Sequence, residues 1–379
     1  MRIAVTTLAF CVAALLALGM VMLYSSSMTQ AGGHYLMMQL VWCALGLGLC
    51  VTAGYLDYRW LKKIAWPLFI LTILLLALVL VPMPHGITRR TNGAWRWFNF
   101  GGVRFQPSEL AKLALIIMLA WYGERFQRHM STWKRGIILP GIIVAAVVGL
   151  VFIEPDRGST VLLAAVAGIM LLMAGVRWAH IIPIVAVGVI AFGISILHDP
   201  MRMKRIMSWL DIEQHKSNAG YQAYQAKLAL GAGGWSGLGL GNGRQKLGFV
   251  PEHHTDFIYS IIGEELGVIA TLGVLMAFVV LIVCGTYIAA YARDKFGQLL
   301  GVGITFLIGF QAFINIGVVT SVLPNKGLPL PFISYGGSNL LAMLTCVGLL
   351  FSIARHARSP DAVPGRATES DDLPTKRRA

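Results

Sequence analysis

Ten long apolar blocks divide this sequence, at about 3–24, 35–56, 64–82, 108–122, 137–153, 159–175, 179–197, 257–290, 297–320 and 338–354. A run of about 20 apolar residues is what a helix needs to cross the hydrocarbon core of a bilayer. Inside that core each backbone N–H and C=O must find its partner within the protein, so repeated blocks of this length lead to a helical bundle. Of the residues, 56% are apolar and 13% charged, and a soluble domain carries about 25% charged residues. A water-soluble enzyme, a disordered chain and a disulfide-rich secreted module are thereby excluded. The expected fold class is all-α: a polytopic membrane protein of about ten transmembrane helices with one long extracytoplasmic loop, 198–256. Residues 1–356 form the membrane domain, and the polar segment 357–379 reads as a disordered cytoplasmic tail. The first block lacks a small-residue cleavage site and reads as a retained helix, not a signal peptide.

Charge orients the bundle. There are 31 Lys and Arg against 17 Asp and Glu, a net charge of +14. No basic run is interleaved with aromatics as in a nucleic-acid groove, so no nucleic-acid partner is expected. Ten helices put both termini on one side. Loop 57–63, loop 123–136 and the tail are basic, which places them, and both termini, in the cytoplasm. Two loops of the opposite face dissent. Segment 83–107 holds four arginines and 198–256 holds seven basic residues. The first is too short for the charge rule to fade, so its charge has a functional reason. The five cysteines, Cys11, Cys43, Cys50, Cys284 and Cys346, all lie in apolar stretches without a CxxC pair, a poor basis for a disulfide framework or a zinc site.

Four segments of that face invite a chemical reading. In 92–112, aromatics and arginines suit a membrane interface, and Pro107-Ser108-Glu109 reads as a helix start. The plain reading is an aromatic belt plus a cap. Yet Lys112 stands inside an apolar run, three residues from Glu109, and an intramembrane charge points to function. Segment 154–158, Glu-Pro-Asp-Arg-Gly, reads as a solvated turn. In 198–256, residues 201–210 form a basic amphipathic helix on the bilayer surface. Eight glycines in 231–248 match neither a phosphate loop nor a dinucleotide fingerprint. Asp256 opens the next apolar block, as a helix cap or as a partly desolvated carboxylate able to act as general base. His253 and His254, being adjacent, diverge on a helix, and a metal site there is not expected. In 321–339, three prolines in eight residues forbid a regular helix. Backbone that apolar and non-helical must be buried or line a cavity.

Together these motifs resemble the SEDS family of peptidoglycan glycosyltransferases, represented by FtsW, RodA and SpoVE. The resemblance rests on Gly93-Ala94…Arg96-Trp97, Gln106-Pro107-Ser108-Glu109…Lys112, Pro251-Glu252…His254-Thr255-Asp256-Phe257, and Asn315-Ile316-Gly317 through to Ser334-Tyr335-Gly336-Gly337. Segments 324–329 and 261–267 are more similar to the division branch, FtsW, than to the elongation branch, RodA, although Asn325 stands where Thr is usual. The resemblance implies a polymerase of lipid II, the undecaprenyl-pyrophosphate disaccharide-pentapeptide, working at the outer face of the bacterial cytoplasmic membrane, at the septum. It implies Asp256 as the catalytic carboxylate. It implies Trp97, Arg96, Glu109, Lys112, His254, Lys326 and Ser334 as substrate-binding positions, with no protein-held metal. The departing pyrophosphate needs cations, which arginines, lysines or a divalent ion (Mg or Mn) can supply. A class B penicillin-binding transpeptidase and other division proteins are the implied partners. The alternatives are an elongation-type polymerase, a lipid II flippase and a non-catalytic division scaffold.

Overall fold

The computed structural model describes residues 1–27, 34–81, 88–91, 94–100, 103–218, 220–249 and 254–357. The tail expected to be disordered lies outside these from residue 358 on, as do Gly93, Pro251, Glu252 and His253. Every apolar block is a helix: α1 (Arg2–Ser27), α2 (His34–Tyr55), α3 (Leu61–Val79), α4 (Pro107–Arg125), α5 (Leu139–Ile153), α6 (Arg157–Ala174), α7 (Trp178–Leu197), then α10 (Ile258–Ala290), α11 (Lys295–Val319) and α12 (Gly337–Arg355). Among the described residues, nine helices are long and apolar enough to span a membrane. The tenth, α4, is interrupted by Glu109 and Lys112 and lies at the centre of the bundle, with Ala114 to Ala120 all buried. The protein is a multi-pass membrane protein.

Helices cannot gain from hydrophobic exclusion where the surroundings are already lipid, so close packing holds them together. Helix α12 lies along α2, and α10 along α1 and α11. Gly348 of α12 faces the main chain of Cys50 in α2, where a Cβ would stand 2.3 Å from the Cys50 carbonyl oxygen. Helices α11 and α12 are deeply buried like α4, whereas α7 is almost wholly outward-facing and meets mainly the short helix after it.

One end of the bundle is latched by ions. Asp294, at the start of α11, accepts from the Tyr58 hydroxyl (2.9 Å), the Gly297 amide (2.8 Å) and Lys62 Nζ (3.1 Å). Lys62 also reaches Glu124 at 2.8 Å, which ties α3, α4 and α11 together.

The other end holds what the hydropathy pattern does not foretell. Segment 83–107, read as an aromatic belt, contains a three-stranded antiparallel sheet of β1 (Thr88–Thr91), β2 (Ala94–Phe100) and β3 (Val103–Phe105). Thr88 pairs with Phe98, and Phe98 with Phe105. The expected amphipathic helix is α8 (Pro200–Leu210), docked by a bond from Trp209 Nε1 to the Ser321 carbonyl (3.0 Å). A further helix, α9 (Tyr221–Gly233), follows it. Helix α10 breaks at Gly267, whose φ of 77° favours glycine. The glycine-rich loop inserts at that break: Leu238 and Gly239 donate to the carbonyls of Glu264 and Glu265 (both 2.9 Å), and Val268 donates to Gly234 (2.9 Å). Buried Glu264 and Glu265 take further amides of the loop, and Glu265 pairs with Lys246 at 2.6 Å.

Candidate active site

The segment between α11 and α12 is non-helical, as its prolines require, and Phe332 holds a φ of 67°. Its free main-chain groups are met by side chains. Gln311 Nε2 donates to the Pro329 carbonyl (2.9 Å), and Asn315 Nδ2 to the carbonyls of Leu328 (2.7 Å) and Asp256 (2.8 Å). Gln39 donates to the Ser334 carbonyl (3.2 Å) and accepts from the Gly336 amide (3.3 Å). Ser334 Oγ accepts from the Leu330 amide (2.8 Å) and donates to the Thr255 carbonyl (2.6 Å). One buried amide, Asn315, thus joins Asp256 to the loop beneath it.

Helix α10 starts at Ile258 with Phe257 at the cap position and no side-chain cap bond. Asp256 is therefore not the helix cap that its sequence position allowed. Its carboxylate lies against Gly327: a Cβ there would stand 2.5 Å from Asp256 Oδ2. The His254 ring stacks on Tyr35 at 4.6 Å, and the Tyr335 amide donates to the His254 carbonyl at 3.0 Å.

Gly327 and Lys326 open into a cavity of about 160 Å³ between β2, the start of α6, α7 and α8. Four cations line it, Arg96, Arg157, Arg205 and Lys326, against one acid, Asp156. Asp156 is already engaged, by the Ser159 amide (3.1 Å), the Ser159 hydroxyl (2.9 Å) and Gln106 Nε2 (3.3 Å). Burial pulls the Lys326 ammonium below its ordinary value. Arg205 lies on α8, so this exposed arginine of the amphipathic helix also lines the cavity. A second cavity, also about 160 Å³ and walled by Val161, Phe310, Phe313, Ile314 and Leu323, runs between α6 and α11 and shares Lys326, Pro324 and Gly158 with the first.

The turn 154–158 is not the solvated turn its composition suggests. Glu154 is 0% exposed and Asp156 5%. Arg96 of β2 covers the turn, donating from Nε to the Glu154 carbonyl (3.0 Å) and from Nη2 to the Pro155 carbonyl (2.6 Å). Burial foremost, and then the Asp156 charge, push the Glu154 carboxyl up to about 8, with Arg96 pulling the other way.

The residues singled out from sequence do not all meet at one place. Arg96 and Lys326 line the cationic cavity, and Asp256 adjoins it at Gly327. Trp97, half-buried, follows Arg96 on β2, where successive side chains point to opposite faces. Glu109 and Lys112 line neither cavity: Lys112 Nζ binds Glu109 Oε1 (2.7 Å) and Gln311 Oε1 (3.0 Å), and Asn339 Nδ2 binds Glu109 Oε2 (2.8 Å). This buried network supports the loop from within through Gln311. Ser334 likewise clamps backbone, and His254 packs among tyrosines. Gln39, Arg157, Arg205 and Gln311 were not singled out as site residues, and Asn315 entered only as part of a motif. For the amides the available signal was a polar side chain within an apolar helix.

A divalent ion needs a convergent donor set, and among the described residues no three His, Cys, Asp or Glu side chains could hold one together.

The FtsW/RodA/SpoVE family, described as a cell cycle protein family, matches residues 6–359. A probable peptidoglycan glycosyltransferase FtsW of Geobacter metallireducens is 39% identical over 351 residues, covering 91% of this chain and 93% of its own. Another from Marinobacter nauticus is 41% identical over 346 residues, covering 89% and 85%. Among solved structures, a chain of a peptidoglycan synthase complex studied for its coordination of polymerization and crosslinking superposes with a TM-score of 0.77 at 31% identity, over 92% of this chain and 96% of that one. The rod shape determining protein RodA of Thermus thermophilus gives 0.70 at 30% identity, over 93% and 97%. With a match over nearly its whole length and helices that superpose on both structures, the chain belongs to the FtsW/RodA/SpoVE family.

Proposed function

We propose that this chain is a peptidoglycan glycosyltransferase that polymerises lipid II at the outer face of the cytoplasmic membrane during septal wall synthesis, with both termini in the cytoplasm. The observation that carries the reading is the placing of the Asp256 carboxylate against Gly327, at the mouth of a cavity with four cations and an apolar slot leading from it. Glycosyl transfer joins an acceptor sugar hydroxyl to the anomeric carbon of a donor while the bond from that carbon to a pyrophosphate oxygen breaks. Asp256 takes the hydroxyl proton as general base. The pyrophosphate leaves as an anion and needs cations in place, not a protonating acid. Arg96, Arg157, Arg205 and Lys326 are arranged to receive that charge. The slot between α6 and α11 suits the polyprenyl chain of an anchored substrate, with Lys326 where chain and pyrophosphate meet. Magnesium or manganese would enter with the pyrophosphate and add positive charge beside it. The partner is a class B penicillin-binding transpeptidase within a division complex, a reading supported by the synthase complex that holds the first structural neighbour.

The test is polymerisation of purified lipid II by the chain with its transpeptidase, comparing wild type with Asp256→Asn. The amide is nearly isosteric and cannot take the proton, so the rate is expected to fall about 10²–10⁴-fold at unchanged protein yield. Near wild-type product from Asp256→Asn at matched protein level removes Asp256 as the base.

A further inference from the structure

Glu154 has no role in the mechanism above, yet its placing is unusual. Its side chain is 0% exposed, and both carboxyl oxygens lack a hydrogen-bond partner among the described residues. A carboxylate so placed would forfeit its hydration with no compensating bond, whereas a neutral acid tolerates the site far better. Beside it, Arg96 is held through main-chain carbonyls, one of them that of Glu154 itself, and among the described residues no acid pairs with it.

We propose that Glu154 is a positioning residue that works in its protonated form, a neutral acid behind Arg96 that leaves the guanidinium charge unpaired and directed into the cavity for an anionic substrate. The proposal rests on the polymerase reading and deepens it by naming what keeps the pyrophosphate site positive. Charge-assisted bonds are roughly twice as strong as neutral ones. An ionised Glu154 would therefore compete for Arg96 and cancel one of the cavity's four cations. The other charged groups about Glu154 are Asp156 on its own turn, already bonded to Ser159 and Gln106, Arg157 at the start of α6, and Arg205 and Lys326 around the cavity. Its carboxyl titrates at about 8, so the protonated form prevails at neutral pH.

The experiment measures KM and kcat for lipid II across about pH 6 to about pH 9, with the chain in complex with its transpeptidase. In the wild type, KM is expected to rise about tenfold between about pH 7 and about pH 9, the loss of protonated fraction for one group titrating midway, with kcat steady. In Glu154→Gln, which is neutral at every pH, KM stays level. Lys326 also faces the cavity, and burial pulls its ammonium below its ordinary value, so it is the competing source of a wild-type rise. In that case Glu154→Gln keeps the rise and the proposal fails. It fails equally if the wild-type KM is level. Should Glu154→Gln not fold, Glu154→Met offers a neutral side chain of similar size with the same expected profile. A wild type that makes no glycan at any pH overturns the polymerase reading together with this inference. An active wild type whose Gln variant keeps the rise overturns only the role of Glu154.

Discussion

Replacing Gly327 with alanine separates the catalytic reading of Asp256 from any effect on the fold. The new methyl would stand 2.5 Å from Asp256 Oδ2 and 3.6 Å from its Cγ. Non-bonded heavy atoms rest about 3.5 Å apart, so the carboxylate has to retreat by about 1 Å. The backbone at Gly327 is not in the left-handed region, so alanine itself introduces no strain there. The obstacle is the end of a short side chain and not backbone, and turning it off its rotamer costs about 1 kcal/mol. The fold is therefore expected to keep its melting temperature. Chemistry is far less tolerant: misplacing a reacting group by about 1 Å can cost about 10² in rate. Gly327→Ala is expected to lower kcat for glycan formation about 100-fold, read as product length and yield from fluorescent lipid II on a gel. Combining it with Asp256→Asn should add little, because both changes disable one group. Full turnover in Gly327→Ala would mean that the carboxylate's position beside Gly327 is immaterial, and the assignment of the base would go with it.

Two further outcomes follow from buried charge. Lys112→Met removes the cation paired with buried Glu109, and breaking a buried pair this way costs about 3–5 kcal/mol. The single variant should show reduced yield and melting temperature, and Glu109→Gln with Lys112→Met should recover most of both; equal loss in the double variant would refute the pairing argument. At the ion-latched end, burial alone would raise Asp294, but the Gly297 amide, Lys62 and Tyr58 outweigh it and hold the group below its ordinary value. A depressed carboxylate adds stability above its unfolded value and loses it as pH falls through the folded one. Melting temperature should thus fall on acidification below about pH 4 in the wild type and respond less in Asp294→Asn, with parallel curves sinking the idea.

The helices were legible because a bilayer imposes length and apolarity on each span, and these survive in the sequence whatever the packing. The sheet was not, because the Trp, Phe and Arg of β2 serve equally as interface residues. The stronger signal was the spacing of Asn92-Gly93 and Gly101-Gly102 around a seven-residue strand, a hairpin pattern. Of the site, Asp256, Arg96 and Lys326 were legible through their motifs. The burial of Glu154 was not, since two acids beside an arginine look solvated until β2, some 60 residues earlier in the chain, is known to fold over them. Gln39, Gln311 and Asn315 appear in the sequence as single polar interruptions, and only their convergence on one loop gives them meaning.

That convergence has a consequence for how the medium acts on the protein. Gln39, Gln311 and Asn315 are buried and uncharged, and with Ser334 they moor the loop beneath Asp256. Dissolved salt damps fields between exposed charges beyond about 8 Å at physiological ionic strength, and buried pairs much less. Ionic strength therefore reaches the two halves of the site unequally. It weakens the attraction between the cavity's cations and an approaching anion, while the bonds that aim the base lie beyond its reach. Capture is left open to the surroundings, and alignment is sealed off from them.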